Sequence, residues 1–432
     1  MTYFFETYGC QMNSAESAAL ELVLAERGWK KSPAAESADL VLLNTCSVRE
    51  TAEQRIRGRL AHYEAQKKTR PFFLVVAGCM ASRLGKKLKD DFSAVNAVMG
   101  TEERGIFPRI LEAAEQKTFL DAEYNGEKPY LFSGSHLENG AFRSFVPIMH
   151  GCNNFCSYCI VPYVRGREVS RSPESIRAEL ALLSKKGVRE ITLLGQNVNS
   201  YQYEDTDFPL LLLQIAGAIA GTSIEWVRFL SSNPKDLSAK TIAVMAEHSC
   251  FCRHLHLPLQ HGADRLLAAM NRRYTAASYL ALLEKLRAAM PDISISSDLL
   301  VGFPGETEKD FEELLSIMET IRFSYAYMYY YNPREGTAAY SFTNTVDEAE
   351  KHRRLSQVIA LQKKITIQSL QRRVGQTQRV LVERVSRKSA DELLGRTEHD
   401  EMAVFPGPRG LIGGFKNISL RALDGVTFRG VS

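Results

Sequence analysis

From the N-terminus to about residue 331, short apolar runs alternate with helical ones. This rhythm limits the fold more than any other feature of the chain. YFFETYG, ADLVLLNTC and PFFLVVAGC read as buried strands, and SAESAALELVLAERG, TAEQRIRGRLAHYEAQKK and SRLGKKLKDDF read as helices. The first helix opens at Ser14 and closes at Gly28, a capping residue at each end. Strands that alternate with helices pair in parallel, so residues 1–117 are expected to form a parallel α/β domain. A polar, Gly-containing linker (YNGEKP, SGSHLENG) occupies 118–143. The rhythm then resumes with SFVPIMHG, EITLLGQ, IEWVRFL, RHLHLPLQ, ISISSDLLVGF and YAYMYYY. Six such units within 144–370 predict a TIM-like barrel, complete or partial, with function at the C-terminal strand ends. Residues 347–373 read as a long basic amphipathic helix. The β-rich runs after Gly375 (TQRVLVERV, DELLGRT, MAVFP, GLIGGFKNISLRAL) predict a small β-barrel within 373–432.

No apolar run approaches the ~20 residues of a membrane span, and the first residues, MTYFFETYGC, lack the pattern of a secretory signal. A cytoplasmic location is expected, where the eight cysteines read as metal ligands or buried thiols rather than disulfides. Charge is uneven. Residues 351–432 hold 16 Lys/Arg against 7 Asp/Glu, whereas the first 350 hold 38 against 43. A basic end on a mildly acidic body points to a polyanionic partner, nucleic acid first.

The cysteines fall into two sets. Cys152, Cys156 and Cys159 lie in HGCNNFCSYC at spacing C-x₃-C-x₂-C, just after the first strand of the second repeat. Cys10, Cys46 and Cys79 each follow a strand of the first. The strand ends of a parallel sheet share one rim, so these three are expected to converge. Cys10 and Cys79 follow glycines, which let backbone approach a bulky ligand. Three local cysteines fall one short of a zinc site, although His150, Cys250 and Cys252 are candidates for a fourth ligand. An iron–sulfur cluster tolerates three when a substrate or cofactor takes the open iron.

The motif, with Tyr158 before its last cysteine, resembles that of radical S-adenosylmethionine enzymes. CNNFCSYCIVPYVRGREVSR at 152–171, the three strand-end cysteines, and VLVERVSRKSADELLGRTEHDEMAVF at 380–405 are similar to the methylthiotransferases of that group. The resemblance spans essentially the whole chain. It implies an α/β protein with an N-terminal parallel domain, a partial (β/α)6 radical-SAM barrel and a C-terminal RNA-binding TRAM barrel. It also implies two [4Fe–4S] clusters, one on Cys152, Cys156 and Cys159 and an auxiliary one on Cys10, Cys46 and Cys79. One S-adenosylmethionine would methylate a sulfur of the auxiliary cluster. A second would yield a 5′-deoxyadenosyl radical that drives transfer of the methylthio group. No catalytic residues are expected beyond the cluster ligands.

Within the family, YGCQMNSAES, NTCSVRE, AGCMA and SRKSADELLGRTE look most like the branch acting on isopentenyl-adenosine beside the tRNA anticodon. Other branches act on threonylcarbamoyl-adenosine or on an aspartate of a ribosomal protein. The implied partners are the tRNA anticodon stem-loop, an electron donor protein and a sulfur and cluster supply system. Two positions depart from the family pattern: Glu16 stands where Asp is usual, and HGA at 261–263 where SGS is usual. Gln196, Asn197, Asp298 and Gly302 are candidates for cofactor binding, and Arg387, Lys388 and Arg396 for tRNA phosphates. The tyrosines of YAYMYYY would pack in the barrel or stack on an extruded base. Cys250 and Cys252 read as structural.

Overall fold

In the computed structural model, residues 1–47, 50–118, 132, 137 and 140–431 are described, which leaves most of the expected linker outside the described residues. The N-terminal rhythm gives a five-stranded parallel sheet. Lys30–Lys31 and Thr2–Thr7 lie on one side of the central Leu40–Thr45, and Phe73–Gly78 and Ala97–Met99 on the other. Leu40–Thr45 and Phe73–Gly78 are buried at every position, as a sheet covered on both faces requires. The helices Gln11–Glu26 and Phe107–Gln116 cover one face and Glu50–Lys67 the other. The expected helix after Cys79 is two short ones, Cys79–Leu84 and Lys87–Asp91, broken where Gly85 takes a positive φ.

The middle of the chain forms an open barrel of six parallel strands. Arg143–Pro147, Glu190–Leu194 and Trp226–Phe229 make one half; His254–His256, Ser294–Val301 and Tyr325–Tyr330 make the other. A parallel bridge from Val227 to Phe251 joins the halves. Among the described residues, Arg143–Pro147 and Tyr325–Tyr330 are the edge strands, so the barrel is partial and open between them. Alternation sorts each strand. Val146, Ile191, Leu193, Val227, Leu255 and Ile295 face the helices in the main core. The alternate positions, including Arg143, Glu190, Arg228, His254, His256 and Asp298, line the inside.

The long helix Glu348–Gln371 packs Val358 and Ile365 into that core and leads to a closed five-stranded barrel. This small barrel caps the lower end of the large one. Arg228 donates to the carbonyls of Thr397 (2.8 Å) and Glu398 (3.1 Å), and Tyr325 donates to Asp400 Oδ2 at 2.8 Å. Trp226, Cys252 and Leu381 close the seam, which places Cys252 in packing between the two barrels.

Candidate active site: two three-cysteine centres

The three N-terminal cysteines follow adjacent strands of the sheet: Cys10 caps the helix Gln11–Glu26, Cys46 follows Thr45, and Cys79 opens a short helix. Side-chain amides draw these ends together. Asn13 Nδ2 donates to the Thr45 carbonyl at 2.9 Å, Asn44 Nδ2 to the Asn13 carbonyl at 2.9 Å, and Thr45 Oγ1 to the Ala77 carbonyl at 2.6 Å. The glycines permit the convergence. A Cβ on Gly9 (φ 123°) would stand 2.8 Å from Cys46 Cβ, and one on Gly78 (φ 92°) 2.6 Å from the Thr45 carbonyl oxygen. Cys46 and Cys79 are buried and Cys10 is exposed. Burial pushes the Cys79 thiol up to about 12, against the pull of the Arg165 guanidinium.

The second set follows the strand Arg143–Pro147. A turn after the helix Asp264–Ala269 cradles its loop. Ser157 N donates to the Met270 carbonyl at 3.1 Å, Asn271 Nδ2 to the Phe155 carbonyl at 2.9 Å, and Arg272 Nη1 to Cys156 Sγ at 3.2 Å. Asn154 Nδ2 lies 3.5 Å from Cys152 Sγ. Burial raises the Cys159 thiol to about 12, with the neighbouring thiols Cys156 and Cys152 adding to it.

Three thiols at each centre form the donor set that a [4Fe–4S] cluster takes when one iron is left open. A zinc ion needs its donors ~2 Å from one point, whereas cluster thiolates bind separate irons. His150, a candidate zinc ligand, instead sets Nδ1 3.4 Å from Arg165 Nη1.

A buried ion network joins the two centres. Arg165, six residues after Cys159, donates to Glu16 Oε1 at 2.7 Å and to Asn13 Oδ1 at 3.1 Å. Asn13 Oδ1 also lies 3.4 Å from Cys10 Sγ, and Arg104 reaches Glu16 at 2.9 Å. Burial would raise the Glu16 carboxyl, but Arg165 and Arg104 outweigh it and hold it at about 2. Cys79 packs on Ile160 and Val164, in the segment directly after Cys159. Sequence reasoning singled out the six cysteines but not Arg165 or Arg272, which contact their surroundings here. Arg165 ends the apolar stretch IVPYV, an unusual place for a cation, and that was its only signal.

The remaining candidates divide. Gln196 carries a buried Oε1 with no hydrogen-bond partner among the described residues. Asn197 uses both ends of its amide, donating to Asp236 Oδ2 at 2.7 Å and accepting from Asn233 N at 3.2 Å, so it braces two strand ends. A Cβ on Gly302 would stand 2.4 Å from Lys351 Cγ, so a lysine stem uses its open side. Asp298 lies inside the barrel, with Oδ2 3.5 Å from His256 Nε2. His261 is wholly buried, 3.9 Å from Glu306, so the HGA departure sits inside the packing. Arg387 and Lys388 are exposed on the small barrel. Arg396 is instead committed to Glu383 (2.9 Å) and Asp400 (2.5 Å) at the seam, which removes it from the phosphate-facing set. Among the tyrosines, Tyr331 is buried, Tyr325 stacks on His254 and Tyr327 is half exposed.

Sheet, open barrel and cysteine loop define a radical-SAM enzyme, and a model of the Radical SAM superfamily matches residues 146–318. Uncharacterized protein family UPF0004 matches residues 2–100, and the TRAM domain matches 371–421. Two solved structures share the fold. One is the radical S-adenosylmethionine methyltransferase TsrM from Kitasatospora setae (TM-score 0.59, 16% identity, 76% of this chain and 72% of that chain). The other is the cobalamin-dependent S-adenosylmethionine radical enzyme OxsB (TM-score 0.53, 11% identity, 84% of this chain and 56% of that chain). Full-length relatives named tRNA-2-methylthio-N(6)-dimethylallyladenosine synthase come from Treponema pallidum (48% identity, 99% of this chain, 98% of the relative) and Bacteroides thetaiotaomicron (41%, 99% and 95%). The chain belongs to this family of radical-SAM tRNA methylthiotransferases.

Proposed function

We infer that this chain transfers a methylthio group to C2 of N6-isopentenyl-adenosine at position 37 of tRNA, next to the anticodon. The observation that carries this reading is the pairing of two three-cysteine centres across the Arg165–Glu16 contact. One centre alone would serve radical generation; the second gives the transferred sulfur a place beside it. Cys152, Cys156 and Cys159 would hold one [4Fe–4S] cluster and Cys10, Cys46 and Cys79 the other. Such clusters, when bound with S-adenosylmethionine, supply the electron for sulfonium cleavage and the sulfur that is transferred.

The chain's own residues do the rest. Arg272 holds Cys156 by a charge-assisted contact, and the turn 270–274 fixes the loop that presents it. Gln196 offers its unpartnered oxygen to the cofactor's amino group or ribose. Asn197 keeps that strand end in place, and Gly302 lets the long helix close behind the barrel. Arg387 and Lys388 meet tRNA phosphates and carry no base information. An electron donor protein and a sulfur and cluster supply system would complete the cycle, and the tRNA reading is consistent with a cytoplasmic location. No helix among the described residues is long and apolar enough to cross a membrane.

Anaerobically reconstituted protein tests the reading. It should hold about eight irons and convert an anticodon stem-loop with isopentenyl-adenosine to the methylthio form. A clean product with threonylcarbamoyl-adenosine instead would move the chain to a sister branch.

A further inference from the structure

The inner wall of the open barrel carries a group that the cluster chemistry does not use. Asp298 and Tyr327 are register partners on adjacent strands, so their side chains stand on one face. His256 joins them, with Nε2 3.5 Å from Asp298 Oδ2 and its ring 5.8 Å from that of Tyr327, edge to face. The next strand positions below are closed. His254 Nε2 and His256 Nδ1 both meet Ser296 Oγ (2.9 and 3.0 Å), and Tyr325 stacks on His254 and bonds Asp400 of the small barrel. Above, Tyr274 bonds the Pro258 and Leu259 carbonyls beside Arg272 and Cys156. The wall therefore lies between the radical-generating loop and the floor.

Two features mark it as a place for a ligand. Tyr327 is 50% exposed on the inner face of a barrel strand, where a packed core would cover it. Its strand is an edge strand, so the aromatic face stands at the opening through which a macromolecule could insert a group. An open aromatic face beside a carboxylate suits a purine. The ring takes the base by stacking, and the Asp298 oxygen turned away from His256 accepts an edge N–H.

We propose that His256, Asp298 and Tyr327 seat the purine of the substrate nucleoside, Tyr327 stacking on its face and Asp298 accepting from its edge. This moves Asp298 from cofactor to substrate recognition and rests on the tRNA reading above. The other source of a purine is the adenine of S-adenosylmethionine, and the test separates the two.

The fully loaded enzyme is compared with Tyr327→Ala, Tyr327→Phe and Asp298→Asn. Stem-loop binding is read by fluorescence anisotropy, S-adenosylmethionine binding by calorimetry, and folding by iron content and circular dichroism. Tyr327→Ala should weaken binding of the isopentenyl-adenosine stem-loop roughly tenfold or more, the loss of one base stack. Tyr327→Phe should bind within about twofold of wild type, since the ring is retained. Asp298→Asn should raise the Kd for the stem-loop severalfold while S-adenosylmethionine binding stays unchanged in all three variants. Wild-type stem-loop affinity in Tyr327→Ala overturns the proposal. So does loss of S-adenosylmethionine binding with stem-loop affinity intact, which would assign the wall to the cofactor's adenine. Failure of the wild-type enzyme to methylthiolate would count against the function itself, because the binding comparison is read without turnover.

Discussion

Arg165 Nη1 lies 2.7 Å from Glu16 Oε1, and both side chains are almost wholly buried. The arginine belongs to the open barrel and the glutamate to the first helix of the N-terminal domain, so one ion pair ties the two cysteine centres together. Removing one member leaves the other charge buried without its counterion. Glu16→Gln should therefore destabilise the fold by ~3–5 kcal/mol, seen as a lower midpoint in thermal unfolding. Glu16→Asp keeps the charge and should cost much less.

The same pair sets an acid limit. The native Glu16 carboxyl is held at about 2, below its value in an unfolded chain near ~4.3. Its stabilising contribution is thus complete above about pH 4.3 and is lost as pH falls toward 2. Denaturant unfolding at several pH values should show this loss in wild type. Glu16→Gln should show a shallower decline over the same window.

Cluster loading should separate by cysteine set. Cys156→Ala should drop iron from about eight to about four per chain and abolish S-adenosylmethionine cleavage. Cys46→Ala should also lose about half the iron yet keep cleavage, giving 5′-deoxyadenosine without methylthiolated RNA. Iron assay with product analysis reads both, and loss of all iron in either variant would contradict two separate sites.

Arg387 and Arg396 should behave differently despite their common charge. Arg387 is exposed, so Arg387→Ala should weaken tRNA binding across sequences and reduce the salt slope by about 1. Arg396 sits between Glu383 and Asp400, so Arg396→Ala should lower the unfolding midpoint by loosening the seam between the barrels. Salt-dependent binding and thermal scans distinguish these outcomes.

Much of this was legible in the sequence because its signals are local or repeat at fixed topological places. Hydrophobic runs marked the strands, and the cysteines that follow three of them were expected to meet, since strand ends of a parallel sheet share a rim. What stayed hidden depends on distant residues meeting. Arg396 reads as a surface cation until Glu383 and Asp400 are seen around it. Asn197 reads as a ligand donor until Asp236 and Asn233 take its amide. The open side of Gly302 faces Lys351, 49 positions further along the chain, which no spacing rule connects. The tyrosine run could not be sorted without knowing that its strand is an edge strand.

The most direct test of the central claim is the modified-nucleoside profile of tRNA from cells with and without this gene, read by mass spectrometry. Cells carrying it should contain 2-methylthio-N6-isopentenyl-adenosine. Cells lacking it should accumulate the unmethylthiolated isopentenyl-adenosine, and a plasmid copy with Cys156→Ala should fail to restore the product. Unchanged methylthio nucleoside in the deletion, with no second enzyme of this type encoded, would contradict the account.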